Sequence, residues 1–169
     1  MTKDILIVVG STEDVTIMKE AIHFLEKIGV AYDINICHPQ LSPNEFYTLG
    51  SNAHKQNYKV IISASLDCPS IAGSLAALTP LPVISVPIVK HHPVGGLDAI
   101  LTTLQMPEGV PVATVSTNTP QNAALLALQM LSIAHPAYQE IIVAYKKKQS
   151  ENIIEQNKII QNNIQNFIS

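Results

Sequence analysis

Short apolar runs alternate with helix-like segments along the chain, and this alternation limits the possible folds more than any other feature. The runs typical of buried strands read DILIVVGS, AYDINI, LPVISVPI and VPVATV, with a further one at residues 60–62. Helix-like segments cover residues 13–27, 43–56 and 70–78, GGLDAILTTLQM, PQNAALLALQML, and most of the chain after Pro136. Strands that alternate with helices form parallel sheets covered on both faces. We therefore predict an α/β fold with a doubly wound, flavodoxin-like five-stranded sheet, and ligands at the carboxyl ends of its strands.

The composition favours a globular protein that assembles with copies of itself. The 169 residues suffice for one domain, and 47% of them are hydrophobic. Only 14% are charged, so we expect part of the surface to be buried in an oligomer. The net charge is −3, and the basic residues form no stripe apart from the triplet at residues 146–148. Nucleic-acid binding needs clustered Lys and Arg, so we predict no nucleic-acid partner.

The cysteines and the N-terminal residues favour a cytoplasmic protein. Cys37 and Cys68 have no CxxC spacing, so a disulfide framework is not expected and a reducing compartment fits. The stretch MTKDILIVVGS lacks the long apolar segment of a signal peptide, and no run reaches the ~20 apolar residues of a membrane span. We predict a cytoplasmic protein with no membrane partner.

The C-terminal segment carries an apolar stripe with a seven-residue period. One set with this period is Ile153, Ile160 and Phe167. The interleaved set is Ser150, Asn157 and Ile164, and the apolar residues that widen the stripe are Ile154, Ile159 and Ile168. This stripe could pack on its own domain or across a subunit boundary, and the low charge favours the second. We predict an α/β domain at residues 1–135 and a C-terminal helical extension at residues 136–169 that packs on neighbouring subunits.

Taken alone, the polar residues at the predicted strand ends give weak signals. Gly10 and Ser11 lie between a strand and a helix, where backbone amides attract anions, but the spacing favours a simple capped turn. Cys37 and His38 are neighbours, as are His91 and His92, and adjacent residues of an extended chain point to opposite faces. No metal-ligand spacing is present, so these histidines are interpreted as loop residues near a pocket mouth.

Several longer segments of the sequence resemble motifs of the PurE family of purine biosynthesis. They are LPVISVPI, GGLDAILTTLQMPEGVPVATV and NAALLALQML, in the family's order and spacing. GSTEDVTIM also resembles the family's opening G-S-x-S-D-x-x-x-M. The resemblance covers about residues 5–135, and the block from Gly96 to Leu131 is specific.

The resemblance implies a fold, an assembly and a reaction. PurE proteins are flavodoxin-like domains assembled as octamers, with C-terminal helices that reach onto neighbours. Bacterial members are mutases that convert one carboxyaminoimidazole ribonucleotide into another, and relatives carboxylate aminoimidazole ribonucleotide with carbon dioxide. The family needs no metal or organic cofactor. A His in a G-G-A-A-H-L-P-G-M loop moves the proton.

The chain departs from the family in that loop. Placed without gaps, LDCPSIAGS puts Leu66 and Asp67 on the two glycines and Ser70 on the catalytic His, and only Gly73 is kept. A serine hydroxyl does not titrate near neutral pH, so Ser70 cannot replace a His as proton carrier.

The phosphate-binding residues also differ from the family. The gap-free placement of S-A-H-R-x-P on residues 38–43 puts Gln40 on the substrate-binding His and Leu41 on the phosphate-binding Arg. A two-residue slip would put His38 on the motif His but still supply no arginine. In the first loop Glu13 stands on a phosphate-binding Ser, while Ser11 and Asp14 are kept, and Asp14 would face the ribose hydroxyls. Affinity for a ribonucleotide phosphate should fall at least ~100-fold.

Three functional hypotheses follow. We favour a diverged PurE-like protein with weak, altered or lost catalysis, whose acidic rim at Glu13 and Asp67 prefers neutral or cationic ligands. The alternative is an active purine-pathway enzyme in which Asp67 or His38 carries the proton and His38, His91 or His92 supplies positive charge. A hydrolase with Ser70 as nucleophile is the third, but Ser70 lacks a G-x-S-x-G context and is more typical of a helix cap. The candidate binding residues are Gly10, Ser11, Glu13, Asp14, His38, Gln40, Leu41, Ser63, Ala64, Ser70 and Gly73.

Overall fold

Five parallel strands form one sheet in the computed structural model, which describes residues 3–89 and 97–163. The strands are β1 (Ile5–Val9), β2 (Tyr32–Ile36), β3 (Val60–Ser65), β4 (Val83–Pro87) and β5 (Ala113–Thr114). The helices are α1 (Thr12–Ile17), α2 (Lys19–Lys27), α3 (Pro43–Asn52), α4 (Ile71–Ala76), α5 (Leu97–Leu104), α6 (Pro120–Ser132) and α7 (Pro136–Asn163), and a 3-10 turn covers Ala53–Gln56. The order β2-β1-β3-β4-β5 confirms the predicted flavodoxin-like sheet.

Burial follows the position of each strand in the sheet. The three central strands, β1, β3 and β4, are buried along their full length, while β2 and β5 at the two edges are partly exposed. Val9 pairs with Ile36 on one side and Ala64 on the other, so three strands end at nearly the same level. Strands buried on both faces are near-continuous runs of apolar residues, which is why the sequence identified them.

Helices cover both faces of the sheet. Residues such as Ile7, Ile62 and Ile84 pack with α2, α6 and the first turns of α7. Their neighbours along the strands, such as Leu6 and Ile61, point the other way and pack with α3 and α4. Alternate strand residues therefore serve two separate apolar layers, as the period of two requires.

Several element boundaries differ from the predicted ones. The helix expected over residues 13–27 is divided at Met18, whose ψ of −2° departs from helical values, after the β-branched run Val15–Ile17 that lowers helix propensity. The helix expected over residues 43–56 ends at Asn52 and continues as the 3-10 turn. The strand expected at residues 60–62 extends to Ser65, and the fifth strand is reduced to Ala113–Thr114.

The helix α7 is 28 residues long, and its two halves have different surroundings. Ile142 is buried in the layer formed with α2 and α6, and the Tyr145 ring lies edge-on to Phe24 with centroids 5.3 Å apart. From Glu151 to Asn162 every residue is exposed, and this half includes Ile153 and Ile160 of the apolar stripe. Ile164, Phe167 and Ile168 of the same stripe lie outside the described residues.

No helix within residues 3–89 or 97–163 is both long enough and apolar enough to span a membrane.

Candidate functional site

The candidate site lies where the carboxyl ends of β1 and β3 meet. From β1 the chain crosses to β2 on one side and later returns to β3 on the other, so the connections diverge at this point. Crevices at such a divergence are where open parallel sheets bind ligands. Residues 10–11 follow β1, and the loop of residues 66–70 follows β3.

A buried carboxylate joins these two segments. Asp14 is 1% exposed, and its Oδ1 accepts a hydrogen bond of 3.0 Å from the backbone N–H of Leu66. Ser11 caps α1, because its Oγ accepts from the Asp14 N–H at 3.3 Å. The predicted N-terminal cap is therefore present. Asp14 holds the loop after β3 in place, and its contact with ribose hydroxyls stays a prediction.

Gly10 is placed where only glycine fits without a shift of its neighbours. A Cβ at this position would lie 2.5 Å from Ser65 Oγ and 3.2 Å from Asp14 Oδ2. Ser65 Oγ in turn accepts a hydrogen bond of 3.1 Å from the Cys68 N–H. The sequence motifs do not include Ser65, although the run of small residues that ends β3 was a signal for a close contact at this point.

The loop of residues 66–70 places its polar groups at different depths. Asp67 is exposed, Cys68 is buried, and Ser70 is intermediate. Ser70 occupies the position before α4, but its side chain makes no capping hydrogen bond, which corrects the expectation that it caps this helix. Ser70 Oγ lies 3.3 Å from the Cys68 thiol instead. Among the described residues, Ser70 has no hydrogen bond to a His, Asp or Glu side chain, so the geometry does not activate it as a nucleophile.

The loop after β2 is held by its own side chains. His38 Nδ1 accepts from the N–H groups of Gln40 at 3.2 Å and Leu41 at 3.3 Å. Ser42 Oγ accepts from the His38 N–H and donates to the His38 carbonyl, both at 3.1 Å. With Nδ1 occupied as an acceptor, Nε2 is the ring nitrogen left to face a ligand. Leu41 is 83% exposed and brings no charge to the site.

The structure brings some of the predicted site residues together and separates others. Gly10, Ser11 and Asp14 meet the loop after β3 at the carboxyl ends of the central strands β1 and β3. Ser63 and Ala64 lie buried within β3, and Gly73 packs against Met106 in the segment after α5. Glu13 lies in the first turn of α1. His91 and His92 lie outside the described residues. Within the described ranges, no group of three or more His, Cys, Asp or Glu side chains is arranged to hold a metal ion.

The perturbed acid and base groups are found at the opposite, amino-terminal end of the sheet. Hydrogen bonds from Lys3 and from Tyr58 lower the pKa of the Asp33 carboxyl. Burial, together with the 2.6 Å hydrogen bond to Asp33, raises the pKa of Tyr58 to about 12. This pair joins the start of β2 to the residues before β3, so its role is in stability rather than chemistry.

Comparisons with known proteins give one consistent result. The family model described as AIR carboxylase matches residues 4–152. The chain is 39% identical over 155 residues to the N5-carboxyaminoimidazole ribonucleotide mutase of Pyrococcus horikoshii, covering 92% of this chain and 87% of the relative. It is 36% identical over 149 residues to the Thermotoga maritima mutase, covering 88% and 86%. It is 37% identical to the chloroplastic phosphoribosylaminoimidazole carboxylase of Vigna aconitifolia, covering 88% of this chain and 27% of that longer protein.

Solved structures show the same architecture. The crystal structure of Treponema denticola PurE superposes with a TM-score of 0.83 at 22% identity, covering 92% of this chain and 97% of the other. At this identity the likeness establishes the fold.

Proposed function

The chain belongs to the AIR carboxylase family, as its PurE-like motifs predicted, and from this premise we propose that it is a diverged member with weak, altered or lost catalysis. The observation that carries the proposal is Ser70. It occupies the position of the family's catalytic His in the gap-free placement, and its hydroxyl contacts a thiol rather than a base. A hydroxyl in these surroundings cannot shuttle a proton near neutral pH.

Phosphate recognition supports the same proposal. Leu41, at the position of the family's phosphate-binding Arg, is exposed and apolar. A charge-assisted hydrogen bond contributes ~1.5–3 kcal/mol, so its loss alone weakens binding by roughly tenfold or more. With the exposed Asp67 carboxylate on the loop after β3, the site favours neutral or cationic small molecules over phosphate esters.

The second candidate function is the family reaction performed with substitute groups. Two observations favour it: Asp67 is exposed on the loop after β3, and His38 Nε2 is not used by the hydrogen bonds that hold its loop. In this version the ligand is an aminoimidazole ribonucleotide, no metal or organic cofactor takes part, and Asp67 or His38 carries the proton.

The experiment that separates the two is complementation of a purine-requiring strain, with mutase and carboxylase assays of the purified protein. Loss of a general acid or base lowers rates ~10²–10⁴-fold, so we expect little growth and a very slow reaction. Ser70→His should raise the rate, while Ser74→His, four residues further along in α4, should not. Robust growth and near-normal turnover of the unmodified protein would reject the diverged function, and Asp67→Asn and His38→Gln would then identify the proton carrier.

We further propose that the protein is a cytoplasmic homo-octamer whose α7 helices pack on neighbouring subunits. Ile153 is 64% exposed and Ile160 is 44% exposed in the single chain, and every residue from Glu151 to Asn162 is exposed. Apolar rows of this kind are characteristic of protein interfaces. The low charged fraction of 14% supports a large buried surface between subunits.

A further inference from the structure

A small cavity beneath the loop after β3 is lined by four buried hydroxyl residues, which we name the hydroxyl pocket: Ser63, Ser65, Ser85 and Thr103. Its volume is about 10 Å³. These residues come from three elements, β3, β4 and α5, and Cys68 and Pro69 of the loop close its upper side. All four hydroxyl residues are at most 6% exposed.

The register of the sheet explains why the hydroxyls converge. Ser63 on β3 lies directly opposite Ser85 on β4, and residues paired in this way point to the same face. Leu6 and Ile61, which share this face, pack in the apolar layer below α3 and α4. The hydroxyl pocket is therefore a cluster of polar groups surrounded by an apolar layer. Polar groups buried in such a layer need hydrogen-bond partners.

The four hydroxyl groups of the pocket have donors and acceptors that the protein's own groups do not all use: two of them make one hydrogen bond each among the described residues. Ser65 Oγ accepts from the Cys68 N–H, so its own O–H remains to donate. Thr103 Oγ1 donates to the Ile100 carbonyl at 2.9 Å, so its lone pairs remain to accept. Within residues 3–89 and 97–163, the Ser63 and Ser85 hydroxyls have no protein partner, and each can both donate and accept.

We propose that the hydroxyl pocket is a binding site for one ordered water molecule. A cavity of ~10–15 Å³ holds one water, and a buried water typically has two to four polar partners. A water here can accept from Ser63 and Ser65 and donate to Ser85 and Thr103, which gives each of the four hydroxyls one hydrogen bond to the water. It would join β3, β4 and α5 directly beneath the loop that carries Asp67 and Ser70, and so position that loop. The site is too small for any larger ligand.

Removal of single hydroxyl groups distinguishes a hydrated pocket from a dry one, because the melting temperature should change in opposite directions in the two cases. In a hydrated pocket Ser85→Ala removes a partner of the water, and the melting temperature should fall by roughly 2–4 °C, about the effect of one hydrogen bond in a domain of this size. In a dry pocket the same change removes a buried hydroxyl that has no partner, and the melting temperature should rise or stay the same. Ser63→Ala provides a second, independent substitution with the same expectation. Ser132→Ala, at a half-buried helix serine remote from the pocket, is the matched control.

A high-resolution crystal structure of the unmodified full-length protein gives the direct test. Electron density for a water within hydrogen-bond distance of at least three of the four hydroxyls, together with destabilisation by Ser85→Ala, establishes the site. A pocket without density, or melting temperatures that rise in both serine variants at equal protein concentration, overturns the proposal. Neither result depends on whether the protein is catalytically active.

Discussion

Several polar side chains at the strand ends accept hydrogen bonds from the protein's own backbone N–H groups. Asp14 accepts from the Leu66 N–H, and His38 accepts from two N–H groups of its own loop. Loops contain backbone groups that no regular element satisfies, and nearby side chains often take their place. A residue of this kind sets the shape of the site even where it does not contact the ligand.

Asp14→Ala should destabilise the protein. The substitution leaves the Leu66 N–H without its charged acceptor, a loss of about 1.5–3 kcal/mol. The melting temperature should fall by about 2–4 °C for each kcal/mol. Asp14→Asn is the matched control, because its amide oxygen can still accept from Leu66 and should preserve more of the stability. Equal melting temperatures for the unmodified protein and Asp14→Ala would refute an anchoring role.

Tyr58→Phe should remove a pH-dependent contribution to stability. The folded-state pKa of Asp33 is lowered from 3.8, so its contribution is present above that pH and is lost as the pH falls through the lowered value. The folded-state pKa of Tyr58 is raised from 10.0 to about 12, so its contribution is present below pH 10 and is lost as the pH rises towards 12.

The difference in melting temperature between the unmodified protein and Tyr58→Phe should therefore be largest at about pH 5–9 and should shrink on both sides. At its maximum it should correspond to ~1.5 kcal/mol, the low end for a hydrogen bond to a charged group, because Asp33 is partly exposed. Tyr47→Phe, at an exposed tyrosine, is the control and should show no such profile. A difference that is constant with pH would argue against the Asp33 partnership.

Among the elements, the turn after β1 and the loop after β3 are in direct contact. Gly10 leaves room for Ser65 Oγ, Ser65 holds the Cys68 N–H, and Asp14 holds the Leu66 N–H. The pairing of β1 with β3 brings these segments together, although more than fifty residues separate them along the chain. Changes in either segment should therefore be energetically coupled.

Gly10→Ala should displace the Ser65 hydroxyl and destabilise the loop after β3. The new methyl group would be 2.5 Å from Ser65 Oγ, which must rotate away and release the Cys68 N–H. A double-mutant cycle with Ser65→Ala measures the coupling: the two changes together should cost less than the sum of the single ones, by about 0.5–3 kcal/mol. Strict additivity in denaturant unfolding would contradict the contact.

For the molecule as a whole, the long helix α7 is packed on the domain in its first half and exposed from Glu151 to Asn162. At ~1.5 Å per residue its 28 residues extend about 42 Å. Among the described residues, α7 packs on α2 and α6 through its first half, which includes Ile142 and Tyr145. Among the described residues, the surface ion pairs Lys147–Glu151 and Lys158–Glu155 lie within or beside the exposed half and contribute little to stability.

Truncation after Gln149 should leave the domain folded but weaken the assembly. Ile142 and Tyr145 remain, including the 2.6 Å hydrogen bond from Gln149 to Tyr145, while the exposed apolar row is removed. Ile160→Asp should have a similar effect on the oligomer, and Asn162→Asp, about 200° away around the helix, should not. Light scattering and sedimentation measure the outcome. An unchanged oligomer in both the truncated protein and Ile160→Asp would exclude subunit packing through this half of α7.

The sequence by itself determined the class of fold, the strand identities and the family. Buried parallel strands are continuous apolar runs, and the specific words between Gly96 and Leu131 gave the resemblance that the comparisons confirmed. The local residue pattern was a weaker guide to where helices begin and end and to which side chains cap them. It did not detect the break at Met18, and it predicted a capping side chain at Ser70, whose hydroxyl contacts the Cys68 thiol.

Only the tertiary structure decided how the site is held together. The Asp14–Leu66 hydrogen bond, the Gly10–Ser65 contact and the convergence of Ser63 with Ser85 join segments that are distant along the chain. Such contacts depend on which strands are neighbours and on their register, and hydrophobic periodicity specifies neither quantity. Residue patterns determine which segments are buried, whereas the packing of those segments determines which polar groups meet at the strand ends.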